Sequence, residues 1–132
     1  LDLLLKKSES FSDKYLFLCM HHNLFLTGSP WLDIHITRNK DTILEFLSKM
    51  RNLKIVVNGH IHQETKHQYK GISFVSSPST SFQFTSNEKK FRLDTKKPGF
   101  LEINLQEEGR WEVLCHRVEG NFGSPEINPK PY

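Results

Sequence analysis

Tyr15-Leu-Phe-Leu-Cys-Met20 is an unbroken apolar run of strand length without alternation, which predicts a strand covered on both faces. It stops at His21-His22. A turn-rich stretch with Gly28, Ser29 and Pro30 precedes Trp31, and Asn39 then stands as an N-cap before Ile43, Leu44, Phe46, Leu47 and Met50. Their spacing of three and four marks one helical face. Lys54-Ile-Val-Val-Asn58 is a second, β-branched strand run, ending at Gly59-His60-Ile61-His62. The order strand, helix, strand predicts two parallel strands in one sheet, joined by a right-handed crossover. Ligand sites in such sheets gather beyond the carboxyl ends of the strands, and histidines follow both of these strands.

Downstream the pattern becomes antiparallel. Gln63 to Tyr69 and Ile72 to Ser76 flank the Lys70-Gly71 turn, and 100–105 and 111–118 flank a loop containing Gly109. Leu1, Leu3, Leu4 and Leu5 read as the middle or end of an amphipathic helix, so a preceding segment is expected. Residues 119–132, rich in glycine, proline and polar residues, read as an irregular tail. The expected fold is α/β (α+β), a βαβ unit followed by antiparallel hairpins, in a single domain spanning 1–132.

Composition narrows the class. The chain is 36% hydrophobic and 25% charged over 132 residues, which places it among folded chains. A net charge of +3 calls for neither nucleic acid nor membrane as a partner, yet tolerates a phosphate-bearing ligand. Lys89-Lys90, Arg92 and Lys96-Lys97 read as a solvated basic loop that helps attract a phosphorylated substrate. Cys19 and Cys115 each lie in an apolar run, which predicts buried, reduced thiols and suits the cytoplasm. The first apolar run is too short to span a bilayer, and residues 1–10 lack the layout of a signal peptide.

The chemistry concentrates in histidine. Seven are present. Gly59-His60-Ile61-His62 ends a strand, where the glycine lets the chain bend closely past an ion, and side chains two apart in extended chain point the same way. His60 and His62 can then reach one site, each serving a different ion of a two-metal centre whose ions lie roughly 3.5–4 Å apart. The plainer alternative is a turn with two solvent-exposed imidazoles. His35, His67 and His116 lack such a setting and read as surface or partly buried imidazoles. No CxxC, HExxH, GxSxG or P-loop pattern is present, which removes the commonest zinc, serine-hydrolase and nucleoside-triphosphate signatures.

Cys-Met-His21-His22 and Val-Asn-Gly-His60-Ile-His62 resemble the later motifs of the calcineurin-like metallophosphoesterase superfamily. Trp31-Leu-Asp33, Ser77-Pro-Ser-Thr-Ser-Phe-Gln-Phe84 and Lys97-Pro-Gly-Phe100 extend the resemblance to its bacterial cyclic nucleotide (3',5'-cyclic AMP) phosphodiesterase branch, from about Leu1 to Val118. The resemblance implies the C-terminal half of a four-layer αββα sandwich. It makes His21 and His60 ligands of one divalent ion and His62 a ligand of the other, with His22 bordering the phosphate pocket. Manganese, iron or zinc would serve, and the substrate would be a small-molecule phosphodiester.

The family's early motifs Asp-x-His, Gly-Asp and Gly-Asn-His are absent from this chain, and its Pro-Pro after the paired histidines is replaced by Asn23-Leu24. No catalytic acid is therefore assigned. The chain alone is expected to be inactive, to hold at most one ion weakly, and to need a missing N-terminal half or to self-associate through an exposed sheet face. Two alternatives stand beside this reading: a non-catalytic, self-associating binding module of the same ancestry, and a small zinc-binding domain.

Overall fold

In the computed structural model, residues 2–121, 123 and 126 are described. The two apolar runs form β1 (Leu16–Met20) and β2 (Leu53–Asn58), paired in parallel so that Met20 lies opposite Asn58. Between them come the single-turn helix α2 (Pro30–Asp33) and α3 (Lys40–Leu47). This is the expected βαβ unit.

β3 (Thr65–Tyr69) and β4 (Ile72–Ser76) form the expected hairpin, turning through Lys70 and Gly71 at φ of 45° and 82°. Positive φ at both central residues matches the twist of the flanking strands, and glycine adopts it without a Cβ penalty. β4 also pairs in parallel with β2, giving a mixed sheet in the order β1-β2-β4-β3. All five β4 residues are buried, as an interior strand requires.

Leu44 and Leu47 of α3 pack with Leu24, Met50, Leu53, Val56, Ile72 and Phe74 on one face of this sheet. Leu4 and Leu5 of α1 (Asp2–Glu9) extend that core. Each fully buried aliphatic side chain here contributes about 1.5–3 kcal/mol relative to exposure. Asn39 does occupy the N-cap position of α3, but its side chain makes no capping hydrogen bond. The Asn52 amide donates to the carbonyls of Phe11 and Lys14 at 2.9 and 3.0 Å, tying the segment before β1 to the turn before β2.

β5 (Gln83–Phe84) and β6 (Leu93–Asp94) make a short antiparallel pair. β7 (Gly99–Leu105) and β8 (Trp111–Arg117) form the last hairpin, which lies against the second face of the sheet. Val75 of β4 shares a crevice of about 200 Å³ with Leu101, Val113 and Cys115, and the Lys66 ammonium sits 5.3 Å from the Trp111 ring centroid. At Gly109 (φ +69°) a Cβ would lie 2.6 Å from the Tyr15 ring, so the hairpin loop closes on the start of β1 only with glycine there.

Two expectations need correction. β1 is an edge strand, and alternate residues face outward: Phe17 is 36% exposed and Cys19 is exposed. The run is unbroken in hydrophobicity, but the hairpin that covers β4 leaves this edge open. Cys19 is therefore no buried thiol, and Cys115 is only half-buried, with burial raising its thiol pKa. Most of the 119–132 segment lies outside the described residues, and Glu119, Gly120 and Asn121 carry no helix or strand. Among the described residues, no helix is long and apolar enough to cross a membrane.

Candidate functional site

Because Met20 and Asn58 are register partners, the two chains leave the sheet side by side and deliver their histidines to the same place. Beyond Asn58 the backbone turns sharply, the Ile61 N–H donating to the Gly59 carbonyl at 2.6 Å. Ile61 is buried at 2% exposure and anchors the turn. The strain falls on the histidines: His60 and His62 have φ of 57° and 50°, a region that β-carbon-bearing residues rarely occupy, whereas Gly59 is not left-handed. Such strain persists where surrounding structure over-determines it, and it clusters at functional sites.

His21, His22 and His60 form one cluster in which one ring nitrogen from each lies within 4.8 Å of the others. His60 Nδ1 is 3.3 Å from His21 Nε2, and the His22 and His60 ring centroids are 4.3 Å apart. Two imidazole nitrogens bound tetrahedrally to one zinc-sized ion, at about 2.0–2.1 Å each, would themselves be about 3.3 Å apart. His60 Nε2 is buried with no partner. His22 Nδ1 meets the His35 carbonyl at 3.2 Å, so a proton held there leaves Nε2 with its lone pair. A set of neutral imidazoles fits zinc, iron or a similar borderline cation better than magnesium or calcium, which prefer oxygen.

His62 takes a different position. Its Nδ1 meets the Phe82 carbonyl at 3.0 Å, and its ring stacks on Phe84 at 4.5 Å between centroids. The extended geometry expected to align it with His60 is absent, since both residues are left-handed. It lies outside the three-imidazole cluster.

Burial, and then repulsion from His22, His21, His35 and His62, lower the pKa of His60 to about 4. Burial also lowers that of His62, against the opposing hydrogen bond to the Phe82 carbonyl. Both rings are then neutral at pH 7, with no proton to displace before a cation binds. The metal-free chain has a matching acid weakness. With His60 at about 4 in the folded state and 6.5 unfolded, the unfolded chain takes up the proton first on acidification. The stabilising contribution is complete above pH 6.5 and is lost as pH falls toward about 4. The urea midpoint should therefore fall across that window, and should fall less in His60→Gln; equal slopes for both chains would contradict this.

The loops that carry the site are held by local polar contacts. The Asp33 carboxylate accepts from Thr27 N, Thr27 Oγ1 and Gly28 N at 2.7, 2.8 and 3.2 Å, so this motif residue shapes a turn. At Asn23-Leu24, Asn23 donates to the Phe25 carbonyl at 2.7 Å and Leu24 enters the core. His35, which the sequence left among incidental imidazoles, supplies the carbonyl that faces His22, and its ring lies 6.0 Å from that of His60. Its place on the connection after β1, where such sheets gather ligand groups, is the signal that was available.

No family model matches the chain. It is 33% identical over 132 residues to the 3',5'-cyclic adenosine monophosphate phosphodiesterase CpdA of Haemophilus influenzae, covering 100% of this chain and 48% of that protein. It is 36% identical over 107 residues to a probable cyclic nucleotide phosphodiesterase of a Psychrobacter species, covering 80% of this chain and 32% of that one. To CpdA of Pseudomonas aeruginosa it is 34% identical over 119 residues, or 90% of this chain and 44% of the relative. A crystal structure of a Vps29 mutant from Entamoeba histolytica covers 70% of this chain and 52% of its own at 19% identity, but its TM-score of 0.29 carries no argument. The chain spans about half the length of the first of these curated relatives, and less of the others. By sequence, then, the chain is similar over nine-tenths or more of its length to curated 3',5'-cyclic adenosine monophosphate phosphodiesterases, and matches just under half of theirs.

Proposed function

We propose that this chain supplies the imidazole side of a two-metal centre that hydrolyses phosphodiesters, cyclic nucleotides among them. The observation that carries this reading is the meeting of His21, His22 and His60 beyond two parallel strands, with two nitrogens at the separation a shared ion requires. His21 and His60 would hold one ion, His62 would face a second, and His22 would border the phosphate. When bound, the ions would supply charge stabilisation for the phosphoryl oxygens and lower the pKa of a water. The chain's own share is to fix the imidazoles by the His60 turn and to keep His60 and His62 neutral.

In this reading the chain is the C-terminal half of a four-layer sandwich and works in a reducing compartment such as the cytoplasm. The other half carries the bridging carboxylate and the acid that protonates the leaving group. The test is complementation. A separate polypeptide bearing Asp-x-His, Gly-Asp and Gly-Asn-His is mixed with this chain, and manganese-dependent hydrolysis of bis-p-nitrophenyl phosphate is followed. Absence of turnover, with both polypeptides folded and associated, would sink the proposal.

The outward side of β1, an edge strand with Phe17 36% exposed and Cys19 exposed, supports a second element of the reading: alone, the chain self-associates through an exposed sheet face. Unpaired strand edges present a row of free backbone donors and acceptors. Sedimentation at micromolar concentration should show a dimer or larger species, and Phe17→Lys should shift it toward monomer. A clean monomer of the unmodified chain argues against this self-association.

A further inference from the structure

A cleft of about 450 Å³ lies between the Thr80–Phe82 segment and the Lys96–Pro98 turn, with Thr80, Ser81, Phe82, Asp94, Lys96 and Lys97 among its lining residues. Its size falls within the range of small-molecule sites. Both walls are braced. The side chain of Gln83, 2% exposed, accepts from Ser79 N at 3.0 Å and donates to the Ser79 carbonyl at 2.7 Å, closing the loop that presents Phe82. Gly99 N donates to the same Ser79 carbonyl at 2.9 Å and so ties the two walls together. On the other wall Arg117 donates to the Lys97 carbonyl at 3.0 Å. The cleft is therefore present before any ligand arrives, which removes an ordering cost from binding.

Its chemistry is specific. Phe82 is 39% exposed, and its ring lies 5.1 Å from that of His62 between centroids. The Phe82 carbonyl faces His62 Nδ1, and His62 belongs to the same turn as His60, so Phe82 connects the cleft to the turn that carries the cation site. An open aromatic face accepts a planar base by stacking, whatever its sequence of hydrogen-bonding groups. Lys96 pairs with Asp94 at 3.3 Å, while the Lys97 ammonium has no ion pair among the described residues. The hydroxyls of Thr80 and Ser81 have no protein hydrogen-bond partner among the described residues and suit a sugar. An aromatic face, two hydroxyls and a cation next to a phosphate-directed metal site match a nucleotide from base to phosphate.

We propose that this cleft holds the base and sugar of a nucleotide, with Phe82 stacked on the base and Lys97 facing the polar edge of the sugar phosphate. The inference rests on the phosphodiesterase reading above, which leaves the nucleoside end of the substrate unplaced. It assigns Phe82 a role in choosing nucleotides over phosphodiesters that lack a base.

The test uses the intact chain without metal, and calorimetry or NMR titration with three probes: adenosine 5'-monophosphate, ribose 5-phosphate and inorganic phosphate. Adenosine monophosphate should bind about tenfold or more tightly than ribose 5-phosphate, as stacking predicts. Phe82→Ala should remove most of that difference and leave ribose 5-phosphate unchanged, and Phe82→Trp should restore it. Lys97→Ala should weaken both organic probes alike. Thermal melts of each variant separate loss of binding from loss of fold. Equal binding of all three probes would reveal an anion patch only and overturn the proposal, as would a Phe82→Ala chain that keeps its preference for the base. Neither outcome touches cation binding by the histidines or complementation. Conversely, failed complementation leaves base-dependent binding at Phe82 in place, so the two readings fail separately.

Discussion

His60→Ala and His21→Ala should each abolish cation binding by the isolated chain, measured as the visible absorption of added cobalt(II). Each removes one of the two nitrogens that face each other across 3.3 Å, and among the described residues no carboxylate belongs to the cluster that could take its place. Changes in residues that merely orient a ligand already cost 10–100-fold in affinity, so loss of the ligand itself should cost on the order of 100-fold or more. The unmodified chain is expected to bind only one ion, and weakly, because neutral imidazoles alone do not offset a second dication. His116→Ala is the control: that ring pairs with Glu102 and stacks on Phe100 on the last hairpin, apart from the cluster. Thermal melts of each variant separate unfolding from ligand loss. Unchanged cobalt spectra in both variants would remove the cluster from consideration as a metal site. Tight, stoichiometric zinc whose ligands cannot be removed without unfolding the chain would instead favour a small zinc-binding domain.

The second large effect is expected on complementation. On the proposed reading, the chain alone should show only background hydrolysis of bis-p-nitrophenyl phosphate with manganese, for the Asp-x-His, Gly-Asp and Gly-Asn-His motifs to which that reading gives the bridging carboxylate and the proton donor are absent from this sequence. A positioned acid contributes about 10²–10⁴-fold, and a second ion adds charge stabilisation on the same oxygens. Addition of the polypeptide carrying those motifs should therefore raise the rate by roughly 10³-fold or more over this chain alone. His60→Ala in this chain should return the mixture to background. Association of the two polypeptides without turnover would favour the binding-module reading.

The strands and the helical face were legible because local pattern governs them. Tyr15 to Met20 and Lys54 to Asn58 are apolar runs bounded by polar turns, and the spacing of Leu44, Leu47 and Met50 marks a buried side. Their order implied parallel pairing, and parallel pairing implied that His21 and His60 meet. That inference needed only the direction of the chain in each strand. It did not extend to His62, because it assumed an extended turn, and φ at His60 and His62 depends on how Ile61 is buried beneath them. Nor could it reach His35, whose carbonyl faces His22 only after α2 and the Asp33-bound turn have folded.

By itself, then, the sequence determined the βαβ order, both downstream hairpins and the two histidine pairs at strand ends, since each depends on periodicity or on turn residues close in the chain. The tertiary structure decided that β4 enters the parallel sheet, that β1 stays an open edge with Phe17 and Cys19 outward, and that Phe82 borders a braced cleft beside His62. These depend on which distant segments cover which face. Hydrophobicity records that a residue prefers burial; it does not record whether another part of the chain arrives to bury it.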